Sequence, residues 1–213
     1  NRATLFHGLI GNARWRGVAL RNILGEARIL NGGEEVVFFG GDIGTEEIRE
    51  TEVEQAFARS LPVSDAMRSE NMLAMEMNGE VLPQIHGRPV RLLVPGYYGV
   101  ANVKWLVQIH VQDRRYMGKF MGRDYVTLKK ETIGGQDRWV EKSVTKIHLK
   151  SSIVRVTKSG DQHKITGFAL NDGTAIRNVE IKIDDGPWQE ASIDSRSNRY
   201  SWKLFTFDWD ASP

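Results

Sequence analysis

Residues 73–106 constrain this chain more than any other stretch. Three apolar runs, 73–83 (LAMEMNGEVLP), 86–96 (HGRPVRLLVPG) and 102–106 (NVKWL), are short and broken by Gly and Pro. Such runs read as short strands joined by tight turns. Asn78-Gly79 is a strong two-residue turn signal. Between the apolar positions stand His86, Arg91 and Lys104. A rigid frame that presents a histidine, an arginine and a lysine is suited to one polar ligand: Arg offers a planar fork of donors, Lys a compact point charge.

Composition narrows the rest. The 213 residues suffice for one large or two small domains, and the 40% hydrophobic and 26% charged content is that of an ordinary globular protein. A formal net charge of +2 gives no basis for nucleic-acid or membrane-surface binding. No apolar run approaches the ~20 residues of a membrane helix. The chain opens at Asn1 with no signal peptide, and the expectation is that its true N-terminus lies upstream. With no cysteine, the sequence as given has no disulfide, zinc-thiolate site or thiol nucleophile.

Along the chain, Val18, Leu20, Ile23 and Leu24 form an apolar stripe that predicts a helix, with Gly25 as its stop. Residues 35–39 (EVVFF) predict a strand closed by Gly40-Gly41-Asp42, and the acidic run 46–54 an exposed segment. Residues 64–68 predict a short helix capped by Ser64. The polar segment 129–142, with Gly134-Gly135 at its middle, reads as a connection. After it come short strands near residues 153–156, 164–169, 178–183 and 200–205, with turns between them. That spacing predicts an immunoglobulin-like β-sandwich.

Each candidate residue carries a bland alternative. His86 is a turn histidine or a ligand; Lys104 is a solvated strand-edge lysine or a ligand. Asp42 is an ordinary turn aspartate or a functional one. Tyr125 is a half-buried loop aromatic or a phenol donor to substrate. Arg123 is a substrate-anion contact or the solvated partner of Asp124. Arg114-Arg115 reads as a solvated charge pair, and Trp15, Trp105, Trp188 and Trp202 as core fillers.

Taken with Gly122-Arg123-Asp124-Tyr125 and the segment 179–188 (VEIKIDDGPW) followed by Tyr200-Ser201-Trp202-Lys203, the 73–106 motif resembles the sulfite oxidase family of molybdopterin-dependent oxidoreductases over nearly the whole chain. The resemblance implies an α+β architecture. Residues 1–145 would form the mixed α/β molybdopterin-binding domain. Residues 146–213 would form a truncated immunoglobulin-like dimerisation domain, its edge open and Trp202 and Phe205 losing cover.

The resemblance also implies a cofactor and a site. Molybdopterin would be held by Asn1, Asp42, His86, Arg91 and Lys104, with Asn102 and Val103 offering backbone contacts. Tyr125, Arg2 and Arg123 would stand at the substrate, and no residue of the chain would ligate the metal. The family binds molybdenum through a cysteine in a Cys-x-Gly-Asn-Arg segment. Asn1-Arg2 resemble its tail, so the thiolate is expected three positions before Asn1 and the fragment as given is expected to be inactive.

Two departures stand out. Ala3 replaces a second basic residue, and the loop between Arg2 and Gly11 is shorter than in most members. The implied activity is oxygen-atom transfer to sulfite, giving sulfate, in a homodimer whose electrons pass to a separate cytochrome. For an exported bacterial member a periplasmic location is implied. The alternatives are a related molybdoenzyme acting on another oxoanion or a sulfoxide, and a cofactor-free, non-catalytic interaction protein.

Overall fold

The structure is a computed structural model and describes residues 11–210. The expectations for Asn1, Arg2 and Ala3 lie outside the described residues. The described residues divide into two compact units, one of residues Ala13–Thr145 and one of residues 146–210 together with 11–12.

In the first unit, β1 (Trp15–Ala19) leads into α1 (Leu20–Ala27). The long strands β2 (Glu35–Ile48) and β3 (Thr51–Pro62) form a hairpin, followed by the single turn α2 (Val63–Ala66). Next come β4 (Met72–Met77), β5 (Glu80–Val81), β6 (Arg91–Leu93) and β7 (Leu106–Gln112). The one-turn α3 (Lys119–Gly122) precedes the hairpin of β8 (Val126–Ile133) and β9 (Gln136–Ser143). β4 pairs with β1, β5 and β6, while β2 lies between β3 and β7, all antiparallel. One core joins α1 to both sheets through Leu20, Leu24, Val36, Phe38, Leu92 and Val103. Each such side chain contributes about 1.5–3 kcal/mol on burial.

In the second unit, β10 (Lys150–Ser159), β11 (Gln162–Leu170), β12 (Glu180–Lys182), β13 (Trp188–Glu190), β14 (Ser192–Ile193) and β15 (Lys203–Asp210) form two sheets, ordered β10-β11-β15-β14 and β12-β13. Ile165, Phe205 and Phe207 from the first pack with Ile181 from the second. The chain is thus mostly β-sheet with few helices, and the longest helix among the described residues has eight residues. The α+β expectation overstates the helix content because the apolar runs are short and alternate.

Several local expectations are corrected. Residues 129–142 are no connection but the β8–β9 hairpin, whose turn needs the positive φ of Gly134 (60°) and Gly135 (78°). Polar composition hid it, because both faces are largely wet. Gly25 does not stop α1; the helix runs on to a left-handed Arg28 (φ 55°), and Val18 belongs to β1. Ser64 makes no capping bond, since the cap position falls on Pro62. The acidic run 46–54 turns the β2–β3 hairpin at Arg49 and Glu50, both with positive φ. The last strand starts at Lys203, Phe205 is buried, and Trp202 lies against Phe168 with ring centroids 5.2 Å apart. Trp188, at 65% exposure, is no core filler. Asn78 (φ 57°) and Gly79 (φ 90°) do form the predicted tight turn, joining β4 to β5.

Candidate functional site

Arg91 organises the site. Leu92 and Val94 enter the core on either side of Leu93, which leaves Arg91 half-buried at the head of β6. Its guanidinium donates to the carbonyl of His86 (3.0 Å) and to that of Asn102 (3.2 Å), with its central carbon 5.1 Å from the Trp15 ring centroid. Its Nε is buried and has no hydrogen-bond partner. Burial lowers its pKa from the ordinary arginine value. Among the described residues no carboxylate forms a salt bridge with it or with Lys104. A partly buried cation with unused donors and no counter-charge is a place for an anion to bind.

Lys104 approaches the same turn from the other side. Its Nζ donates to the Ile85 carbonyl (3.2 Å) and lies 4.1 Å from the Trp105 ring centroid. Trp105 has a left-handed backbone (φ 47°), and its indole Nε1 donates to the Gln84 carbonyl (2.8 Å). His86 ends the 3-10 turn Gln84–His86 and is half-buried. Gly87 follows with φ 107°, and a Cβ there would lie 2.9 Å from Lys104 Cα, so only glycine lets these segments meet. A non-glycine residue held at positive φ beside such an approach marks stored strain of the kind concentrated at functional sites.

The bulge in β2 brings Asp42 alongside. Gly41 N–H donates to the Trp105 carbonyl (2.7 Å), and a Cβ on Gly40 would lie 2.2 Å from Asp42 Oδ1 and 3.0 Å from the Lys104 carbonyl. Asn102 is committed to its own loop: Oδ1 accepts from Val94 N–H (2.6 Å) and its carbonyl accepts from Arg91. Val103, 1% exposed, can offer a ligand only main-chain atoms, and its carbonyl already accepts from Leu92 N–H (2.8 Å).

His86, Arg91, Asn102, Lys104 and Asp42 are therefore brought together. Tyr125 and Arg123 stand elsewhere, at the α3–β8 junction. Tyr125 is 42% exposed, with the Arg59 guanidinium carbon 6.0 Å from its ring centroid. Arg123 is exposed and is not the partner of Asp124, which pairs with Lys119 at 3.4 Å. The link to the first cluster runs through the main chain. Val144 N–H donates to the Tyr125 carbonyl (2.8 Å), and Tyr98 N–H donates to that of Thr145 (3.0 Å).

Sequence reasoning passed over Arg59 and the charge of Glu35, and read Arg115 without its partner. Arg59 is 2% exposed, donates to the carbonyls of Phe120 and Val144, and has its pKa lowered to about 10, first by burial and then by Arg115. Arg115 is exposed, as a solvated arginine would be, but its Nη1 reaches the buried Glu35 carboxylate at 3.0 Å. The available signal was a single charge inside the apolar run 56–62 (AFARSLP). Among the described residues no group of three or more His, Cys, Asp or Glu side chains is placed to hold a metal ion.

Residues 1–120 match the family described as the oxidoreductase molybdopterin binding domain. The chain belongs to that family. It is similar to the mitochondrial sulfite oxidase of Homo sapiens, at 30% identity over 93% of this chain and 38% of that protein. It is also similar to the NADPH nitrate reductase of Pichia angusta, at 29% identity over 87% of this chain and 23% of that protein. Among solved structures it resembles the sulfane dehydrogenase SoxCD from Paracoccus pantotrophus, with a TM-score of 0.74 and 26% identity over 93% of this chain and 48% of that one. The chain thus spans well under two thirds of these relatives.

The family is of the sulfite oxidase type, and molybdopterin is its cofactor. The residues present fit that group. Two cations without carboxylate partners, an orphaned guanidinium Nε and a glycine-lined approach at Gly87 and Gly40 form a cradle suited to a phosphate-bearing pterin. Among the described residues no helix is long and apolar enough to cross a membrane.

Proposed function

We propose that this chain is the cofactor-holding part of an enzyme that oxidises sulfite to sulfate and passes the electrons to a separate cytochrome. The observation that carries the reading is the convergence of Arg91 and Lys104 on the 84–87 turn with no carboxylate to neutralise them. Arg91 and Lys104 hold the pterin phosphate, His86 hydrogen-bonds the pterin, and Asp42 and the main chain at Asn102 and Val103 complete the pocket. Bound molybdopterin, with its molybdenum, supplies two-electron oxygen-atom transfer. Tyr125 donates its hydroxyl to the substrate oxoanion, and Arg123 adds a cation at the same place. Residues 1–145 act as the cofactor domain. Residues 146–213 act as an immunoglobulin-like module through which two copies pair, a reading supported by two antiparallel sheets sharing one core.

The test is turnover by the full-length, molybdenum-loaded protein with sulfite and a cytochrome c. Sulfite and water give sulfate, two protons and two electrons, so two cytochromes should be reduced per sulfate formed. A second reading follows from the likeness to nitrate reductase: another oxoanion is the substrate. Nitrate turnover without sulfite turnover decides for it.

A further inference from the structure

Three carbonyls around Tyr125 are held by side chains of the β2–β3 hairpin and its neighbours. Arg59, in β3 opposite Phe38, donates one Nη to Phe120 of α3 and the other to Val144 just past β9. Val144 in turn donates its N–H to the Tyr125 carbonyl. The guanidinium therefore joins the two chain segments that flank Tyr125 and the β8–β9 hairpin. It also lies beneath the Tyr125 ring, and its Nε has no partner.

The Met121 carbonyl is held by a second chain of bonds. Ser60 Oγ donates to Glu35 Oε1 (2.5 Å), Arg115 Nη1 donates to Glu35 (3.0 Å), Arg115 Nη2 donates to Ser143 Oγ (3.4 Å), and Ser143 Oγ donates to Met121 (2.7 Å). Arg59 is the more committed anchor. Among the described residues it forms no salt bridge, and the charge of Arg115 acts against its own. A buried cation that spends its fork on two carbonyls is expensive to keep for packing alone, since an apolar side chain would fill the space without desolvating a charge. α3 has only one turn and cannot hold itself in place.

We propose that Arg59 is a positioning residue for Tyr125: it fixes the 119–125 segment through the Phe120 and Val144 carbonyls, and so sets where the phenol meets substrate. The proposal rests on the substrate-facing role given to Tyr125 above.

The experiment uses the full-length, molybdenum-loaded enzyme with Arg59→Lys, Arg59→Met, Tyr125→Phe and the Arg59→Lys/Tyr125→Phe double variant. Lysine keeps the charge but reaches only one carbonyl. Sulfite kcat/KM should fall on the order of tenfold in Arg59→Lys, as misplacement of a reacting group can cost up to about a hundredfold, with molybdenum content unchanged. The same substitution should cost less than about twofold when Tyr125 is already Phe, because coupled residues are not additive. Equal losses in the two backgrounds overturn the proposal.

Hydrogen exchange supplies a readout that needs no turnover. In Arg59→Met the amides of residues 119–125 and 144–145 should exchange at least about tenfold faster while those of β1 and β4 keep wild-type rates. Unchanged exchange at 119–125, or faster exchange throughout the unit, overturns it. If wild-type enzyme turns over no sulfite, the substrate reading fails and exchange alone decides: a local rise supports Arg59 as the anchor of this segment. If Tyr125→Phe has full activity, the role of Tyr125 fails and the proposal falls with it.

Discussion

The Arg91 guanidinium donates to the main-chain carbonyls of His86 and Asn102, at 3.0 and 3.2 Å, so the arginine proposed to hold the cofactor also splices the 84–87 turn to the segment at Asn102. This double duty separates it from Lys104, which makes one such bond, to Ile85. Arg91→Ala should therefore lose molybdenum and destabilise the apo domain together. A hydrogen bond involving a charged group contributes ~1.5–3 kcal/mol, so the apo domain should lose about that much per bond in denaturant unfolding. Lys104→Ala should lower molybdenum content with a smaller change in apo stability. Metal analysis beside unfolding curves checks both. Equal apo stability of Arg91→Ala and wild type shows that the splice contributes nothing.

Gly87→Ala tests the close approach of the 84–87 turn to Lys104. The added methyl would sit 2.9 Å from Lys104 Cα, and the backbone would be held at φ 107°, outside the range alanine adopts without strain. Strain of this kind costs about 1–3 kcal/mol. The expected outcome is a lower unfolding midpoint and a weakened cofactor load, with secondary structure by circular dichroism intact. Gly79→Ala is the control: its φ is 90°, but nothing lies within 4 Å of the added carbon, so it should destabilise without affecting molybdenum content.

Where the sequence was legible, one local rule sufficed. Asn78-Gly79 needed only turn chemistry, and the convergence of Arg91 and Lys104 on the 84–87 turn needed only a long motif of short strands. Where it was not, a distant partner decided. Arg115 is exposed as read, but its ion pair with the buried Glu35, 80 positions away, has no local signal. Arg59 drew no reading from the sequence, because its partners, the carbonyls of Phe120 and Val144, lie 61 and 85 positions away. The β8–β9 hairpin was hidden for a different reason: a two-stranded ribbon with water on both faces has no hydrophobic period to read. Tyr125 shows the limit from the other side. The motif around it was legible, but its setting depends on Arg59, a residue in another element.

Tyr125→Phe removes one hydroxyl and nothing else. If the phenol donates to an anionic substrate, the loss should be ~1.5–3 kcal/mol, or on the order of tenfold to a hundredfold in kcat/KM. Steady-state kinetics at equal molybdenum content measure this. Wild-type kcat and KM in the variant make Tyr125 a packing residue beside Arg59.

Tyr97 sets an alkaline limit on the first unit. It is 5% exposed and its hydroxyl donates to Asp65 Oδ2 at 2.6 Å. Burial first, and then the hydrogen bond to Asp65, raise its pKa above the ordinary tyrosine value of 10. The neutral phenol is therefore favoured in the folded state. Below pH 10 both states hold the proton, and the stabilisation is fully present. Above pH 10 the unfolded chain ionises while the folded one does not, so stability falls until the folded pKa is reached, by at most ~1.4 kcal/mol per pH unit for this group. Tyr97→Phe deletes both the hydrogen bond and the titration. It should be less stable than wild type at pH 7 by about 1–3 kcal/mol, and that gap should narrow between pH 10 and 11, since only wild type carries the ionising phenol. Urea unfolding of both proteins across this range measures the gap directly. A gap that stays constant to pH 11 would show that Tyr97 titrates alike in the folded and unfolded chains, and that Asp65 does not hold its proton.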